Sequence, residues 1–381
     1  MQTVNIRVRL YDTSMNYRRY RHEMDEGLRD VLERGTFVMG EPVRQFEQEF
    51  AAYCGVRHCV TTTSGTQALH LTLTALGIGP GDEVITAANT DVGTCLGIEH
   101  AGATVRLADI AASTFNLDSS AMAAAVTGRT RAIVPVHMYG LPCDMDAIRA
   151  VARHHHLVVV EDAALAAGAA YHGRRAGSLG DAAIFSLAPG KVLGGLGTGG
   201  AIVTDREDVA RLANSLRHYG RDGSAFWTDR EPGAPPAVTV RMGFNARLDT
   251  LQAVALRARL RHLDEEIAKR RTVAAIYTRH LAGSAAVTPE VPLGYEHAYR
   301  TYVIRLPGRD RVHKRLLEAG IETGLHYVPP IHLHPHWQSA YSAGDFPISE
   351  QVSADLLCLP CHPSVTDEEA REVAQRIREM L

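Results

Sequence analysis

Short apolar runs alternate with helix-like segments between residues 58 and 205, and this alternation restricts the fold more than any other feature. The run at 157–160 is apolar without alternation, which is typical of a strand covered on both faces. Strands that alternate with helices are joined by right-handed crossovers. We therefore predict an α/β fold with a mostly parallel sheet. The predicted strands are 58–63, 83–88, 104–110, 130–137, 157–162, 182–188 and 200–205, and the predicted helices include 66–77, 92–102 and 144–155.

The pattern changes after about residue 245, where helical periodicity replaces the alternation, so a smaller α+β domain is predicted at the C-terminus. Its predicted elements are a long helical region at 246–282, a strand at 300–306, a helix at 310–319 and a closing helix at 366–381. We divide the chain into an N-terminal arm (1–14), a large domain (15–250) and a small domain (251–381). The Pro- and Gly-rich stretch 224–243 is predicted to be a functional loop, because loops of this length in compact domains are often functional.

Charge and cysteine content limit the classes of function. The chain of 381 residues has 40 Lys plus Arg against 43 Asp plus Glu, so its formal net charge is −3. That balance excludes a nucleic-acid binder that works by bulk positive charge, and it leaves no basic surface for an anionic membrane. The N-terminus lacks the apolar segment of a secretory signal, and no run reaches the length of a membrane span. With the six cysteines interpreted as free thiols, a soluble cytoplasmic enzyme is predicted.

The first candidate site lies where the strand 58–63 meets the helix 66–77. Gly65 allows a ligand to approach the backbone, and the free N–H groups of a helix start attract an anion such as phosphate. The simpler alternative is that Ser64, Gly65 and Thr66 only cap the helix. Both alternatives stay open on these residues alone.

An acidic pair ends the predicted strand 157–162. Asp162, at the end of a buried strand, costs desolvation energy unless it meets a cation. Glu161 is adjacent and points to the opposite face of the strand, so only one of the two faces a site there. We favour Asp162; the alternative role for it is an ordinary salt bridge or a cap of the turn that follows.

A single lysine, Lys191, follows the predicted strand 182–188 within the glycine-rich segment GKVLGGLGTGG. Glycines let the backbone pack closely against a flat or charged group. A lysine held in a partly desolvated pocket loses its proton more easily and becomes a nucleophilic amine. The alternative is a solvated lysine in a flexible loop.

The three features together fit one cofactor, pyridoxal 5′-phosphate. In this interpretation Lys191 forms the Schiff base, Asp162 pairs with the protonated pyridine nitrogen, and the helix start at 64–66 holds the phosphate. Ser186, five residues before Lys191, adds a hydroxyl for the phosphate. Each feature follows or ends a strand, and ligands gather at the carboxyl ends of strands in open α/β sheets.

The chain resembles the DegT/StrS-type sugar aminotransferases, a family with the fold-type I architecture of pyridoxal phosphate enzymes. The resemblance runs from about residue 15 to the C-terminus. It implies a large domain with a mostly parallel mixed sheet flanked by helices and a smaller α+β C-terminal domain. The matching blocks, in order, are GEPVRQFEQEFAAYCGV, SGTQALHLTLTALGIGPGDEVI, VEDAALAAGA, GSLGDAAIFSLAPGKVLGGLGTGGAIVT, GFNARLDTLQAV, LHYVPPIHLHP, FPISEQVS and LLCLPCHP.

The site residues of the family can be matched one by one in this sequence. The resemblance implies that Lys191 carries the cofactor and that Asp162 pairs with its pyridine nitrogen. It also implies a homodimer with shared active sites. It assigns phosphate contacts to Gly65, Thr66 and Ser186, a phosphate contact from the partner subunit to Asn245, and positions near the substrate pocket to Tyr327 and His332.

Two positions depart from the family pattern. Leu165 stands where the family usually has Gln or His near the phenolic oxygen of the cofactor, and Leu165 donates no hydrogen bond. Asp91 stands where an aromatic ring often stacks on the pyridine ring. These changes keep open a second hypothesis, a pyridoxal phosphate enzyme of the same fold that performs an elimination or another carbanion reaction. Retention of Lys191 argues against the dehydratase branch of the family, where a histidine replaces that lysine.

Cysteines and histidines near the C-terminus raise the question of a metal. Cys358, Cys361 and His362 form a C-x-x-C-H string, but no second cysteine pair follows at a suitable spacing. The alternating histidines of 332–336 fit pocket lining by one of them better than a metal site. We predict no metal site.

These features and the resemblance lead to one predicted reaction. The enzyme moves an amino group from glutamate or glutamine to a keto-sugar, nucleotide-linked in the simplest case, or to a keto-cyclitol, in secondary-metabolite or cell-surface sugar biosynthesis. A third hypothesis is a non-catalytic cofactor-binding regulator. It is disfavoured because the chain has neither an appended DNA-binding segment nor a basic stripe.

Overall fold

The computed structural model describes residues 5–221 and 238–381, so most of the predicted loop 224–243 lies outside the described residues. In this part of the chain the helices are α1 (Ser14–Arg18), α2 (Arg21–Arg34), α3 (Glu41–Cys54), α4 (Gly65–Ala75), α5 (Val92–His100), α6 (Ser119–Ala124), α7 (Met145–His155), α8 (Glu207–Leu216), α9 (Thr250–Leu260), α10 (Leu263–Leu281), α11 (Arg309–Glu318), α12 (Pro347–Asp355) and α13 (Asp367–Met380). The strands are β1 (His58–Thr62), β2 (Glu83–Ala87), β3 (Thr104–Ala108), β4 (Thr130–Val134), β5 (Val158–Asp162), β6 (Ala170–Tyr171), β7 (Arg174–Arg175), β8 (Ala182–Ser186), β9 (Gly200–Thr204), β10 (Tyr295–Glu296), β11 (Tyr302–Arg305) and β12 (Leu356–Leu359).

A seven-stranded sheet with the order β1-β9-β8-β5-β4-β2-β3 forms the centre of the fold. The pairs from β8 to β3 are parallel, whereas β9 is antiparallel to both of its neighbours. Helices cover both faces: Phe185 of β8 packs with α3 on one side, and Ile184 packs with α4 on the other. The predicted α/β class with a mostly parallel sheet is confirmed, and each of the seven predicted runs forms a strand.

The antiparallel direction of β9 follows from the segment that connects it to β8. A parallel crossover needs a dozen or more residues, which usually form a helix. Residues 187–199 include five glycines and form no helix, so the chain turns back and pairs β9 directly with β8. The same turn places Lys191 just beyond the carboxyl end of β8.

The predicted helical region 246–282 consists of two helices, α9 and α10, separated at Arg261 and His262. α9 packs against α2 and α3, whereas α10 packs against α13. At the break, His262 stacks on Tyr20 and hydrogen-bonds to Glu23. Because the two segments pack against different parts of the molecule, one continuous helix does not satisfy both. The domain division at residue 250 stays a prediction.

The C-terminal part contains an antiparallel pair, β11 and β12, that packs with α10, α11 and α13. The N-terminal segment joins this part: Val8 pairs with Ile321, and the backbone N–H of Leu10 donates to the carboxylate of Glu322. Among the described residues, none of the helices combines the length and the apolar character that crossing a membrane requires.

The strands β1, β2, β5 and β8 run in the same direction, so their carboxyl ends meet at one edge of the sheet. The segments found there are the start of α4, the turn at Asp91 before α5, the end of β5 at Asp162 and the turn that holds Lys191. Residues that are far apart in the sequence are therefore neighbours at this edge.

Candidate active site

A cleft of about 570 Å³ opens at the carboxyl edge of the sheet. The starts of α4 and α5, the end of β5 and the turn after β8 contribute to its lining. Of the residues predicted for the site, the structure places these in the lining: Ser64, Gly65, Thr66, Asp91, Asp162, Leu165, Ser186, Lys191 and Tyr327.

The start of α4 contributes backbone donors to the cleft. Ser64 is the N-cap of α4, and its hydroxyl accepts a hydrogen bond from the backbone N–H of Gln67 at 3.1 Å. The N–H groups of Gly65 and Thr66 are the first two of the helix and have no acceptor within it, so they are available to an anion. A Cβ atom at Gly65 would lie 3.0 Å from Cβ of Ser186, so glycine lets α4 approach the end of β8. Ser64 thus caps the helix, and the helix start also faces the cleft.

Asp162 is a buried acid of the cleft and is 4% exposed. Its Oδ2 accepts a hydrogen bond from the hydroxyl of Thr94 at 2.7 Å, and its Oδ1 accepts one from the backbone N–H of Ala164 at 3.1 Å. Burial raises the pKa of Asp162, and these two hydrogen bonds act in the opposite direction. The two donors fix the orientation of the carboxyl group.

Glu161 points away from the cleft, as the alternation along a strand predicts. Its side chain is fully buried and accepts hydrogen bonds from the backbone N–H groups of Gly177, Leu179 and Gly180. Nε2 of His137 lies 2.9 Å from the same carboxylate. One acid of the pair therefore binds the segment before β8, and the other faces the cleft.

Lys191 reaches the cleft from the turn between β8 and β9. Burial lowers the pKa of Lys191 to about 8, and the positive charge of Arg300 acts in the same direction. The negative charges of Asp91 and Asp162 oppose this shift. At neutral pH such a lysine has a larger neutral fraction than an ordinary lysine, which makes it a nucleophilic amine.

Leu165 and Asp91 line the cleft at the two positions that depart from the family pattern. Leu165 is 6% exposed, and its side chain offers only carbon atoms. Asp91 is the N-cap of α5, where its carboxylate accepts a hydrogen bond from the backbone N–H of Gly93 at 2.8 Å. Asp91 therefore has a structural partner as well as a place in the cleft.

Two predicted residues do not line the cleft. Asn245 is exposed, and its side-chain oxygen accepts hydrogen bonds from the guanidinium of Arg247. His332 is fully buried, with Nε2 2.9 Å from a carboxylate oxygen of Glu350 and its ring against Phe346. These contacts hold the side chain of His332 against α12 and the residue before it, and its place near a substrate stays a prediction.

The C-x-x-C-H string has ordinary packing contacts. The thiol of Cys361 donates to the carbonyl oxygen of Arg270, and the ring of His362 hydrogen-bonds to the carbonyl oxygen of Arg9. Within 5–221 and 238–381, no three His, Cys, Asp or Glu side chains are grouped so that they could hold a metal ion.

Sequence reasoning misses two residues near the cleft. Thr94 donates to Asp162 from the first turn of α5, and Arg300 acts on Lys191 from the C-terminal part of the chain. Neither carries a signal in the sequence. A threonine in the first turn of a helix is common, and the place of Arg300 depends on how the segment before β11 packs against the rest of the molecule.

The lining fits pyridoxal phosphate. The start of α4 offers N–H groups to a phosphate, Asp162 offers an oriented carboxyl group to a ring nitrogen, and Lys191 offers an amine of lowered pKa to an aldehyde. Val136 and Ile184 add apolar surface for a flat ring.

Comparisons with known proteins agree with this fit. Residues 19–378 match the model of the DegT/DnrJ/EryC1/StrS aminotransferase family. The chain is 39% identical to a pleiotropic regulatory protein of Geobacillus stearothermophilus over 98% of each sequence. It is 37% identical to a dTDP-3-amino-3,4,6-trideoxy-alpha-D-glucose transaminase of Micromonospora megalomicea subsp. nigra, over 96% of this chain and 97% of the relative. The crystal structure of S. venezuelae DesV in complex with a ketimine intermediate is 38% identical and has a TM-score of 0.92, with 99% of both chains covered. The chain therefore belongs to the DegT/DnrJ/EryC1/StrS aminotransferase family, a family of fold-type I enzymes that use pyridoxal phosphate.

Proposed function

We propose that this protein transfers the amino group of glutamate or glutamine to a nucleotide-linked keto-sugar. The observation that carries the proposal is the meeting of Lys191, Asp162 and the start of α4 in one cleft, in a chain of an aminotransferase family. Relatives at 37–39% identity include transaminases named for dTDP-linked and UDP-linked sugars, which supports this class of acceptor. A keto-cyclitol is the other acceptor that the family resemblance suggests.

Lys191 and Asp162 are the two catalytic side chains in this proposal. Bound pyridoxal phosphate supplies an electron sink for the carbon that loses or gains the amine. Lys191 would hold the cofactor and would move a proton between the substrate carbon and C4′ of the cofactor. The carboxyl group of Asp162 would pair with the ring nitrogen, and Thr94 holds its orientation through the hydrogen bond to Oδ2.

The phosphate would lie at the start of α4. We assign the direct donors to the N–H groups of Gly65 and Thr66 and to the hydroxyls of Ser64 and Ser186. The hydroxyl of Ser64 accepts the hydrogen bond that caps the helix and keeps its own proton for the phosphate. The positive end of the helix dipole favours the negative charge of a phosphate at this position.

The capture of cofactor by the apo-protein should depend on pH through Lys191. We expect the capture rate to rise with pH and to level off above about pH 8. Only the neutral amine attacks the aldehyde, and burial holds the pKa of Lys191 below that of an ordinary lysine. Stopped-flow absorbance of the bound cofactor measures the rate. A rate that climbs without a plateau up to pH 10 would show that Lys191 titrates as an exposed lysine does.

The donor half-reaction tests the function. Holoenzyme mixed with glutamate or glutamine should lose the absorbance of the lysine-bound cofactor and gain that of pyridoxamine phosphate, and a nucleotide-linked keto-sugar should reverse the change. Glutarate, which has no amine, is the control and should cause no conversion. If loaded protein converts with neither donor, the proposal fails and the elimination suggested by Leu165 and Asp91 becomes the better hypothesis.

We also propose a homodimer with shared active sites, in which Asn245 reaches the phosphate site of the partner subunit. Asn245 supports this arrangement because it is exposed and lies outside the cleft of its own chain. Light scattering gives the mass of the assembly, and a fully active monomer would contradict the proposal.

A cytoplasmic location is proposed as well. The six cysteines are free and buried, which suits a reducing compartment.

A further inference from the structure

The guanidinium of Arg300 lies outside the lining of the cleft, close to Lys191, and the proposed roles leave it unexplained. Arg300 lies just before β11, and its backbone N–H donates to the carbonyl oxygen of Tyr139 at 2.9 Å. Nε and Nη1 of its side chain are buried and have no hydrogen-bond partner among the described residues. Arginine keeps its charge in proteins, so these two donors are charged and dehydrated, and the described segments give them no acceptor. Such an arrangement is unfavourable unless a ligand supplies the acceptor.

Two buried arginines of this region, Arg259 and Arg270, have more hydrogen-bond partners than the half-buried Arg300. Arg259 donates to Glu266 at 2.7 Å and to two backbone carbonyl oxygens. Arg270 donates to two backbone carbonyl oxygens. In each of them Nε is the one side-chain atom that is both buried and without a partner in the described part of the chain. Arg300 therefore differs from its neighbours in having its side-chain donors left for another group.

The guanidinium of Arg300 is held close to Lys191. Its central carbon lies 3.6 Å from the centre of the Tyr11 ring, which stabilises the cation from one side. Nη2 lies 3.2 Å from the position that a Cβ atom at Gly190 would occupy, so the glycine before Lys191 leaves room for the guanidinium. The positive charge also acts on Lys191 directly, since it lowers the pKa of that amine.

We propose that Arg300 binds the α-carboxylate of the amino donor, an inference that rests on the proposed function. A donor amino acid carries its amine and its α-carboxylate on the same carbon, so the carboxylate lies beside Lys191 when the amine reacts there. The planar guanidinium presents parallel N–H groups that match the two oxygens of a carboxylate. Glutamate and glutamine share this carboxylate, so the same contact serves either donor.

The diphosphate of a nucleotide-linked acceptor is the other anion that the proposed reaction brings to the cleft. In such an acceptor, part of the sugar ring separates the diphosphate from the carbon that receives the amine. Arg300 lies beside Gly190, the residue that directly precedes Lys191, and Lys191 is the amine at which the donor would react. The position of Arg300 therefore favours the α-carboxylate of the donor over the diphosphate of the acceptor as its ligand.

Substitutions of Arg300 in the holoenzyme test the assignment. We expect Arg300→Met to raise the apparent Kd of glutamate and of glutamine in the donor half-reaction by about 10- to 100-fold. Arg300→Lys keeps the charge but loses the paired donors, so its Kd should lie in between. The affinity for glutarate, measured by calorimetry without turnover, should fall in the same order. Arg315→Met, an exposed arginine of α11, is the matched control and should leave these values unchanged.

The outcomes separate this inference from the proposed function. If the wild type converts with neither donor, the proposed function fails, and glutarate binding still reports on Arg300. If the wild type converts and Arg300→Met binds donors and glutarate as tightly, the carboxylate assignment is overturned. A loss of affinity for dTDP alone, with unchanged donor affinity, overturns it in favour of the diphosphate. Should Arg300→Met not fold, the same comparison with Arg300→Lys decides between these results.

Discussion

Lys191→Ala should abolish turnover, with a loss of at least about 10⁴-fold in kcat, while the fold is retained. Alanine removes the amine that carries the cofactor and also the group that moves the proton between the substrate carbon and C4′. The residue lies in the turn between β8 and β9, outside both strands, so the sheet does not depend on it. Steady-state kinetics measure the loss, and circular dichroism checks the fold.

The small number of lysines makes the covalent link easy to locate. Besides Lys191 the chain contains only Lys269 and Lys314, which are exposed on α10 and α11. Borohydride reduction of the loaded protein and peptide mass spectrometry should find the cofactor on Lys191 alone. Lys269→Ala is the matched control and should keep full activity. Cofactor fixed to another lysine, or turnover of Lys191→Ala near the wild-type value, would contradict the assignment.

Asp162→Asn should slow the donor half-reaction by about 10²-fold or more, with only a small loss of stability. The amide has nearly the same size and its oxygen still accepts the hydrogen bond from the backbone N–H of Ala164. It lacks the negative charge that keeps the ring nitrogen protonated, so the electron sink is weaker. Rapid mixing with glutamate measures the rate, and urea unfolding measures the stability.

The neighbouring acid supplies the control for this prediction. Glu161→Gln removes the charge that accepts hydrogen bonds from Gly177, Leu179 and Gly180, so it should lower the free energy of unfolding by about 3 kcal/mol. The half-reaction rate of the folded enzyme should change by no more than a few-fold. The reverse result, with a slow Glu161→Gln and an unaffected Asp162→Asn, would place the ring partner on the other face of β5.

Prediction of the fold succeeded where short-range patterns are decisive. The run at 157–160 predicts a strand covered on both faces, and β5 is buried beyond its first residue. The helical region predicted at 246–282 is helical in α9 and α10, but the periodicity does not show the break between them, because it records which residues are apolar and not which element each of them packs against. The break at Arg261 and His262 appears only when α9 and α10 meet different partners.

In the candidate site, too, local patterns predict some residues and contacts between distant segments place the others. Asp162 and Lys191 are recognisable because each ends or follows a strand, and the carboxyl ends of parallel strands meet at one edge. His332 matches a family motif, yet contacts with Glu350 and Phe346 hold it outside the cleft. Thr94 and Arg300 reach the site across large distances in the chain, and no motif contains them.

The sequence by itself determined the α/β class, the seven strands of the sheet and the chemical groups at their ends, because apolar runs, glycines and charged residues act over a few neighbouring positions. Only the tertiary structure decided the direction of β9, the break between α9 and α10, and the approach of Arg300 to Lys191. These features depend on contacts between segments that are distant in the chain, and the free energy of such contacts is set by packing and burial that a local pattern does not contain.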